Sequence, residues 1–455
     1  MNTTKRLLQT GALTLSLLAC SVMAAVSSDE AAKLGNTLTP IGAEKAGNAD
    51  GSIPAWTGGL PINAGAVDGG GFLADPFPNE KPLFTITAQN VEQYKDKLTP
   101  GQYAMFKRYP ETYRMPVFPT HRTANLPDNI TAAAKLNATN TKLIQGGEGL
   151  ENFQLANPFP IPKDGLEAIW NHITRYRGAS VRRHVVQVTP QANGSFSPVS
   201  LEEEFAFRGM MKDVDTSKPS NILFYFKQRV TAPSRLAGNV LLVHETIDQV
   251  KEPRMAWLYN AGQRRVRRAP QVSYDGPGTA ADGLRTSDNL DMYNGSPDRY
   301  DWQLLGKKEI YIPYNSYRID SPKLKYSDIV KAGHLNPDLT RYELHRVWHV
   351  TATLKQGERH IYAKRDFYLD EDTWQASAID HYDGRGTLWR VAEAHAQYYY
   401  DKQVPWYAVE VIHDLLSGRY LALGLKNEEK RAYEFDYPAK ESDYTPAALR
   451  QSGVR

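Results

Sequence analysis

Residues 253–302 read PRMAWLYNAGQRRVRRAPQVSYDGPGTAADGLRTSDNLDMYNGSPDRYDW, and the chain can be read outward from them. Met255, Trp257 and Tyr259 alternate with Ala256 and Leu258, the period of a strand with one face against a core. Asn260-Ala261-Gly262 supplies a reversal, because Asn and Gly accept the positive φ of a tight turn. The strand that follows, Gln263 to Arg268, sets Arg264, Arg265, Arg267 and Arg268 around a single Val266. If extended, it carries guanidinium groups on both faces beside an aromatic partner, and few structural strands need that much charge. Behind the hairpin, a Gly- and Asp-rich loop carries Asp282, Asp288 and Asp291. Loops of this length in a compact domain are often functional. A lid over a cavity mouth is the first expectation for it, and a calcium-like oxygen cluster the second, although the spacing does not match an EF-hand.

After Gly178 the pattern is strand upon strand, with alternating or β-branched runs from Ser180–Thr189 through Thr387–Tyr400 and again at Arg419–Leu423. The later connections, Gln356-Gly357, Asp370-Glu371-Asp372 and Asp383-Gly384-Arg385-Gly386, are too short for crossovers and imply antiparallel neighbours. About ten twisted strands tend to curl into a barrel or half-barrel. Tyr342 to Leu354 puts Leu344, Arg346, Trp348, Val350, Ala352 and Leu354 on one face. In Arg359 to Leu369, Ile361, Ala363, Phe367 and Leu369 share a face with Arg365. An apolar face interrupted by arginine fits a cavity for a molecule with a long apolar body and a polar or anionic head; arginines reaching solvent along their stems at the barrel ends are the alternative. Trp406 to Leu416 reads as a short helix.

Ahead of the sheet the chain changes character twice. Residues 25–83 are rich in Gly and Pro, yet Ile53, Trp56, Leu60, Phe72 and Phe77 would be costly to leave in water, so an ordered, extended arm is expected. Residues 84–177 are mainly helical: Thr87–Tyr109 in two pieces around Pro100, Ile130–Ile144, and Gly165–Tyr176, where Asp164 and Glu167 form a capping-box pattern. Residues 426–455 form a charged tail. Residues 1–24 carry Lys5 and Arg6, an apolar run and small residues before a cleavage point at Ala24, the pattern of a secretory signal. The one cysteine, Cys20, lies inside it, and Leu18 disfavours a lipoprotein reading, so the mature chain is expected in the periplasm without disulfides. Loss of Lys5 and Arg6 takes the formal charge from +3 to +1, a weak field that argues against nucleic acid as partner.

Familiar catalytic patterns are missing. There is no G-x-S-x-G elbow, P-loop or dinucleotide fingerprint, and no cofactor is implied. His345 and His349 share a strand face, but residues four apart on a strand are about 13 Å apart and cannot ligate one ion, so no metal site is expected. Asp366, Asp380 and Glu393 alternate on successive strands, where burial would raise a carboxyl toward the range of a general acid.

The hairpin pattern W-x-Y-x-x-G-x-R-R-V-R-R with T-S-D-N-L-D-M-Y-N-G, together with Leu38–Gly59 and Y-T-P-A-A-L-R near the end, resembles the domain of unknown function 1329 (DUF1329) family of Gram-negative envelope proteins. The strand-rich part is also similar to the outer-membrane lipoprotein-sorting carriers of the LolA/LolB type. The resemblance implies an α+β, β-rich antiparallel half-barrel closed by helices around an apolar cavity. It further implies lipid or other hydrophobic ligands, with a resistance-nodulation-division exporter of the inner membrane and an outer-membrane protein as partners. On this reading Met255, Trp257, Tyr259, Trp348 and Phe367 supply apolar contacts. Arg264, Arg265, Arg267 and Arg268 meet an anionic head group or an acidic patch, as a planar guanidinium binds carboxylate or phosphate in two places. An envelope hydrolase using His345 or His381, and a non-catalytic assembly factor with a solid barrel, are the alternatives.

Overall fold

Two antiparallel meanders make one sheet. The first comprises β1 (Ser180–Val188), β2 (Val199–Phe207), β3 (Ile222–Ala232), β4 (Val240–Thr246), β5 (Met255–Asn260) and β6 (Arg265–Arg268). The second comprises β7 (Tyr300–Pro313), β8 (Tyr342–Leu354), β9 (Lys364–Asp370), β10 (Ala376–Tyr382), β11 (Leu388–Tyr399), β12 (Val404–Asp414) and β13 (Tyr420–Leu425). Within each meander every strand pairs with its predecessor, and β13 pairs with β1, so the order runs β6-β5-β4-β3-β2-β1-β13-β12-β11-β10-β9-β8-β7. Strands β6 and β7 are edges that do not meet, and the sheet remains an open, antiparallel half-barrel. Short strands Phe84–Ile86 and Met115–Val117 extend its margin, the latter touching Tyr342 in parallel. The computed structural model of the protein describes residues 26–144, 146–269 and 272–453. The expected signal segment, with Cys20, lies outside these.

Turn chemistry enforces the pairing. Between β10 and β11 the Asp383 carboxylate accepts from the backbone N–H groups of Arg385 and Thr387, each at 2.9 Å. The helix expected at Trp406–Leu416 is instead strand β12. All eleven of its residues are buried, because β11 and β13 flank it and both sheet faces are covered there. A strand buried on both faces loses its alternation, and its continuous apolar run cannot be told from a buried helix by period alone.

Helices α1 (Pro100–Arg108), α2 (Asp128–Asn140), α3 (Gly165–Thr174) and α4 (Pro446–Gly453) cover the sheet. Helix α3 starts where the Asp164 carboxylate accepts the Glu167 N–H at 2.9 Å, and it buries Ile169, Trp170 and Ile173 beneath β7 and β8. Gly165 is needed for that approach, since a Cβ there would fall 2.7 Å from the Gln303 nitrogen of β7. The arm over residues 26–83 is ordered largely without regular structure. Ile53 and Phe72 are buried, and the Trp56 indole N–H donates to the Ala124 carbonyl at 3.0 Å.

Helix α1 is seated by carboxyl groups of the sheet. Thr99 and Gln102 close a reciprocal capping box, and the Gly101 N–H donates to Asp380 Oδ2 at 3.0 Å. Gln102 Nε2 donates to Glu393 Oε1 at 2.9 Å, and the Tyr342 hydroxyl donates to Glu393 Oε2 at 3.0 Å. Asp380 pairs across the ladder with Asp366. Two of the carboxyls that suggested acid–base chemistry therefore anchor a helix N-terminus, where the backbone N–H groups favour an acceptor. Burial pushes both Asp380 and Glu393 up to about 7, against those hydrogen bonds. The folded chain holds their protons while the unfolded chain releases them above the ordinary carboxylate range. Their contribution to stability is complete below that range and decays as pH rises to about 7. The double variant Asp380→Asn/Glu393→Gln lacks this decay. Its melting temperature relative to the wild type is expected to shift in the variant's favour between about pH 5 and about pH 8; a constant difference would contradict the assignment.

Candidate ligand cavity

Residues 272–299, between β6 and β7, run back under the inner face of the sheet. Asp291 accepts from Arg175 Nη2 at 2.6 Å, from Arg177 Nη1, and from the Trp406 indole N–H at 3.0 Å. Asp288 accepts from Arg365 Nη1 at 2.7 Å, His360 Nε2 at 3.0 Å and the Thr286 hydroxyl at 2.6 Å. Burial alone would raise both carboxyls, but the guanidinium groups beside them hold both well below the usual range. Asn289 meets His381 Nε2 at 3.1 Å, and the Met292 N–H donates to Glu410 Oε2 at 2.9 Å. Only Asp282 is exposed, paired with Arg419 at 2.9 Å and Thr189 at 3.1 Å.

The loop is thus a plug rather than the expected lid. The carboxylates of Asp288 and Asp291 point inward to arginines, which also answers the calcium expectation for these two, since an arginine-paired carboxylate buried in a core is already satisfied. The arginine that interrupts the apolar face of β9, Arg365, meets Asp288.

Between this plug and strands β3 to β5 lies a cavity of about 290 Å³. Phe224 and Phe226 of β3, Leu241 and Val243 of β4, Leu258 of β5 and Leu290 of the loop give it an apolar lining. Gln228, Arg254, Arg285 and Asn294 supply polar groups. Leu258 is 47% exposed and stands at the mouth.

The face of β5 that reaches the cavity is not the aromatic one. Met255, Trp257 and Tyr259 point to the opposite side of the sheet, where Tyr259 is buried with Tyr225, Tyr444 and Leu449 of α4, and Trp257 packs 4.7 Å from the His244 ring. Alternation fixes which residues share a face but not which face holds the cavity. Here the C-terminal helix supplies a second apolar layer. Trp348 stacks on Trp374 at 6.1 Å, and Phe367 is fully buried between Tyr293 and Trp302; neither lines the cavity.

The arginine hairpin is at the sheet edge. Arg267 pairs with Leu258 and Arg265 with Asn260, so these two share the cavity side, while Arg268 pairs with Trp257 on the other. Arg264 occupies the turn with φ 52°. All four are exposed, and none makes an ion pair among the described residues. The residues that build the cavity, Phe224, Phe226, Leu241 and Val243, sit in the unbroken apolar runs 222–226 and 240–243, which mark strands but not the cavity face, and Arg285 has no local signal.

Histidines and carboxylates meet elsewhere. His345 Nε2 lies 3.0 Å from Glu343 Oε2, with both side chains essentially buried. His345, Asp370 and Asp372 bring possible metal-ligating atoms within 4.8 Å. Arg122 holds both oxygens of Asp372, at 2.9 and 2.7 Å, and Thr373 and Tyr314 donate to Asp370, so hydrogen bonds and an ion pair already satisfy the two carboxylates.

The family model described as protein of unknown function DUF1329 matches residues 85–450. This chain belongs to that family. An uncharacterized protein of Pseudomonas aeruginosa is 78% identical over 455 residues, the whole of both chains. Among solved structures, a putative outer membrane lipoprotein-sorting protein domain from Vibrio parahaemolyticus shares 14% identity over 63% of this chain and 98% of its own, with a TM-score of 0.44. A DUF1329 family protein from Desulfovibrio piger shares 12% identity over 60% of this chain and 92% of its own, with a TM-score of 0.41.

The anchoring of the plug makes a direct prediction. Asp291→Ala leaves Arg175 and Arg177 buried without their carboxylate and is expected to cost ~3–5 kcal/mol in urea unfolding. Asp282→Ala removes only an exposed pair and is expected to cost less than about 1 kcal/mol.

Proposed function

We propose that this DUF1329 protein binds a hydrophobic or lipid-like ligand in the cavity beneath β3 to β5 and carries it within the cell envelope. The observation that carries this reading is a mostly apolar cavity of about 290 Å³ whose mouth, at Leu258, adjoins an open sheet edge. Ligand sites combine apolar walls with a few placed polar groups and span about 300–1,000 Å³. The size favours one apolar chain or ring system over a lipid with several chains. Arg264, Arg265, Arg267 and Arg268 then form a positive rim beside the mouth, suited to an anionic head group or the acidic surface of a partner. In this reading the carrier works in the periplasm, between an exporter of the resistance-nodulation-division type and an outer-membrane protein. No helix among the described residues is long and apolar enough to cross a membrane.

The rival readings fit less well. A hydrolase built on His345 or His381 would need substrate to reach side chains that are 2% and 0% exposed. An assembly factor with a solid barrel would have no use for the cavity.

Mass spectrometry of organic extracts from protein purified without detergent tests the proposal. A near-stoichiometric hydrophobic species is expected in the wild type. Val243→Trp, which fills the cavity from its wall, is expected to reduce it at least about tenfold while the fold persists. Wild-type protein that neither retains a hydrophobic species nor takes one up when it is supplied would sink the carrier reading.

A further inference from the structure

Two buried arginines stand in the polar wall of the cavity, and they differ. Arg254 is answered at both terminal nitrogens, its Nη2 lying 2.7 Å from Glu245 Oε2 and its Nη1 donating to the Val272 carbonyl at 2.8 Å, and only its Nε lacks a partner. Arg285, 4% exposed, makes no side-chain hydrogen bond among the described residues. Its Nε and Nη1 are buried without partners, and the carboxylate facing it, Glu410 Oε1, is 3.7 Å from Nη1, beyond hydrogen-bond range. Burial pushes Glu410 up to about 7, with Arg285 easing it down and Asp291 opposing, so near neutrality this partner carries only part of a charge. Removing a guanidinium from water without hydrogen bonds is costly, and an acceptor arriving beside it would offset that cost. Gly278 completes the arrangement, because a Cβ there would fall 3.0 Å from Arg285 Nε. The backbone therefore lies close against the Nε end of the guanidinium.

Resting on the carrier reading, we propose that the cavity selects amphipathic anions: a single apolar chain bearing one carboxylate or phosphate-monoester head, which pairs with the Arg285 guanidinium. Arg285 is buried while Leu258 stands exposed at the mouth, so the head enters first and the chain trails along Phe226, Leu241 and Val243. This orientation hides the charge and leaves the end of the chain nearest the opening, where a receiving site would take hold of it.

Dodecanoate, dodecyl phosphate and dodecan-1-ol, each displacing the neutral dye N-phenyl-1-naphthylamine from the full-length mature protein, test this. Dye binding reports the cavity itself, and the order of the three displacers reports the head. Dodecanoate or dodecyl phosphate is expected to bind about tenfold or more tightly than the alcohol, the return on a charge-assisted hydrogen bond in a buried site. Which of the two acids leads identifies the head. Arg285→Gln is expected to bring the affinity for the acids down to that for the alcohol, and Gly278→Ala, which crowds the guanidinium without removing it, is expected to weaken the preference. Equal affinity for acid and alcohol in the wild type overturns the inference and leaves the carrier reading standing, as does a preference that survives Arg285→Gln. Failure of the dye and all three probes to bind overturns both.

Discussion

The structure depends on Asp291 held between two arginines. Arg175 and Arg177 lie at and just beyond the end of α3, Trp406 lies in β12, and Asp291 lies in the plug; one carboxylate ties all three in an interior that excludes water. Each guanidinium would cost several kcal/mol to bury alone. Asp291 offsets part of that cost, and the rest comes from carbonyl acceptors and ring faces. Arg177 donates to the Ile173 carbonyl at 2.7 Å and lies 5.0 Å from the Phe207 ring centre and 5.6 Å from that of Phe224. Phe224 also lines the cavity, so the wall of the ligand site and the clamp of the plug share a side chain.

That sharing constrains how the cavity can change. A loop whose carboxylates are locked to Arg175, Arg177 and Arg365 cannot swing away without stranding buried charges, so the plug side of the cavity is the stiff side. The opposite side is bounded by β5 and β6. Strand β6 is four residues long and has a single hydrogen-bonded neighbour. Local opening follows the weakest set of contacts, and widening of the mouth costs least at this edge.

Much of the fold was legible and the site only partly so, for physical reasons. The meander followed from short turns between strand-like runs, α1 from Pro100 and apolar spacing, α2 from its Ala-rich run, and α3 from its cap and apolar face; these are local signals. Strand β12 was misread because a strand covered on both faces carries no alternation. The plug was misread because its Gly- and Asp-rich composition is that of a surface loop, while Asp288 and Asp291 are anchored by Arg365 and Arg175, distant in sequence. Asp366, Asp380 and Glu393 were read as carboxyls that burial would raise; burial does raise Asp380 and Glu393, whereas hydrogen bonds from His349 and Lys364 lower Asp366 against it, and that α1 covers the first two is a tertiary fact. Met255, Trp257 and Tyr259 share a face as their spacing implies; that the cavity lies on the other face was decided by where α4 packs. Arg285 could not have been singled out, because an arginine is distinguished by its missing partners only once the partners of its neighbours are known.

The arginine hairpin has a structural reason for its charge. An edge strand presents unpaired N–H and C=O groups that invite another strand, and charged side chains are a common defence. Strand β6 is such an edge, and four exposed arginines around Val266 make it a poor template for a second copy of the sheet. The other edge, β7, carries Lys307 and Lys308 and a bulge between Leu304 and Gly306 that interrupts its ladder. Two edges protected by positive charge explain the arginine run without a ligand. The same geometry leaves Arg265 and Arg267 on the cavity side, beside the mouth at Leu258. In the proposed carrier, a charge placed to keep strands apart is thus also placed to draw an anion toward the opening, and the deeper Arg285, with no edge to protect and no side-chain hydrogen bond among the described residues, is the guanidinium such an anion would meet.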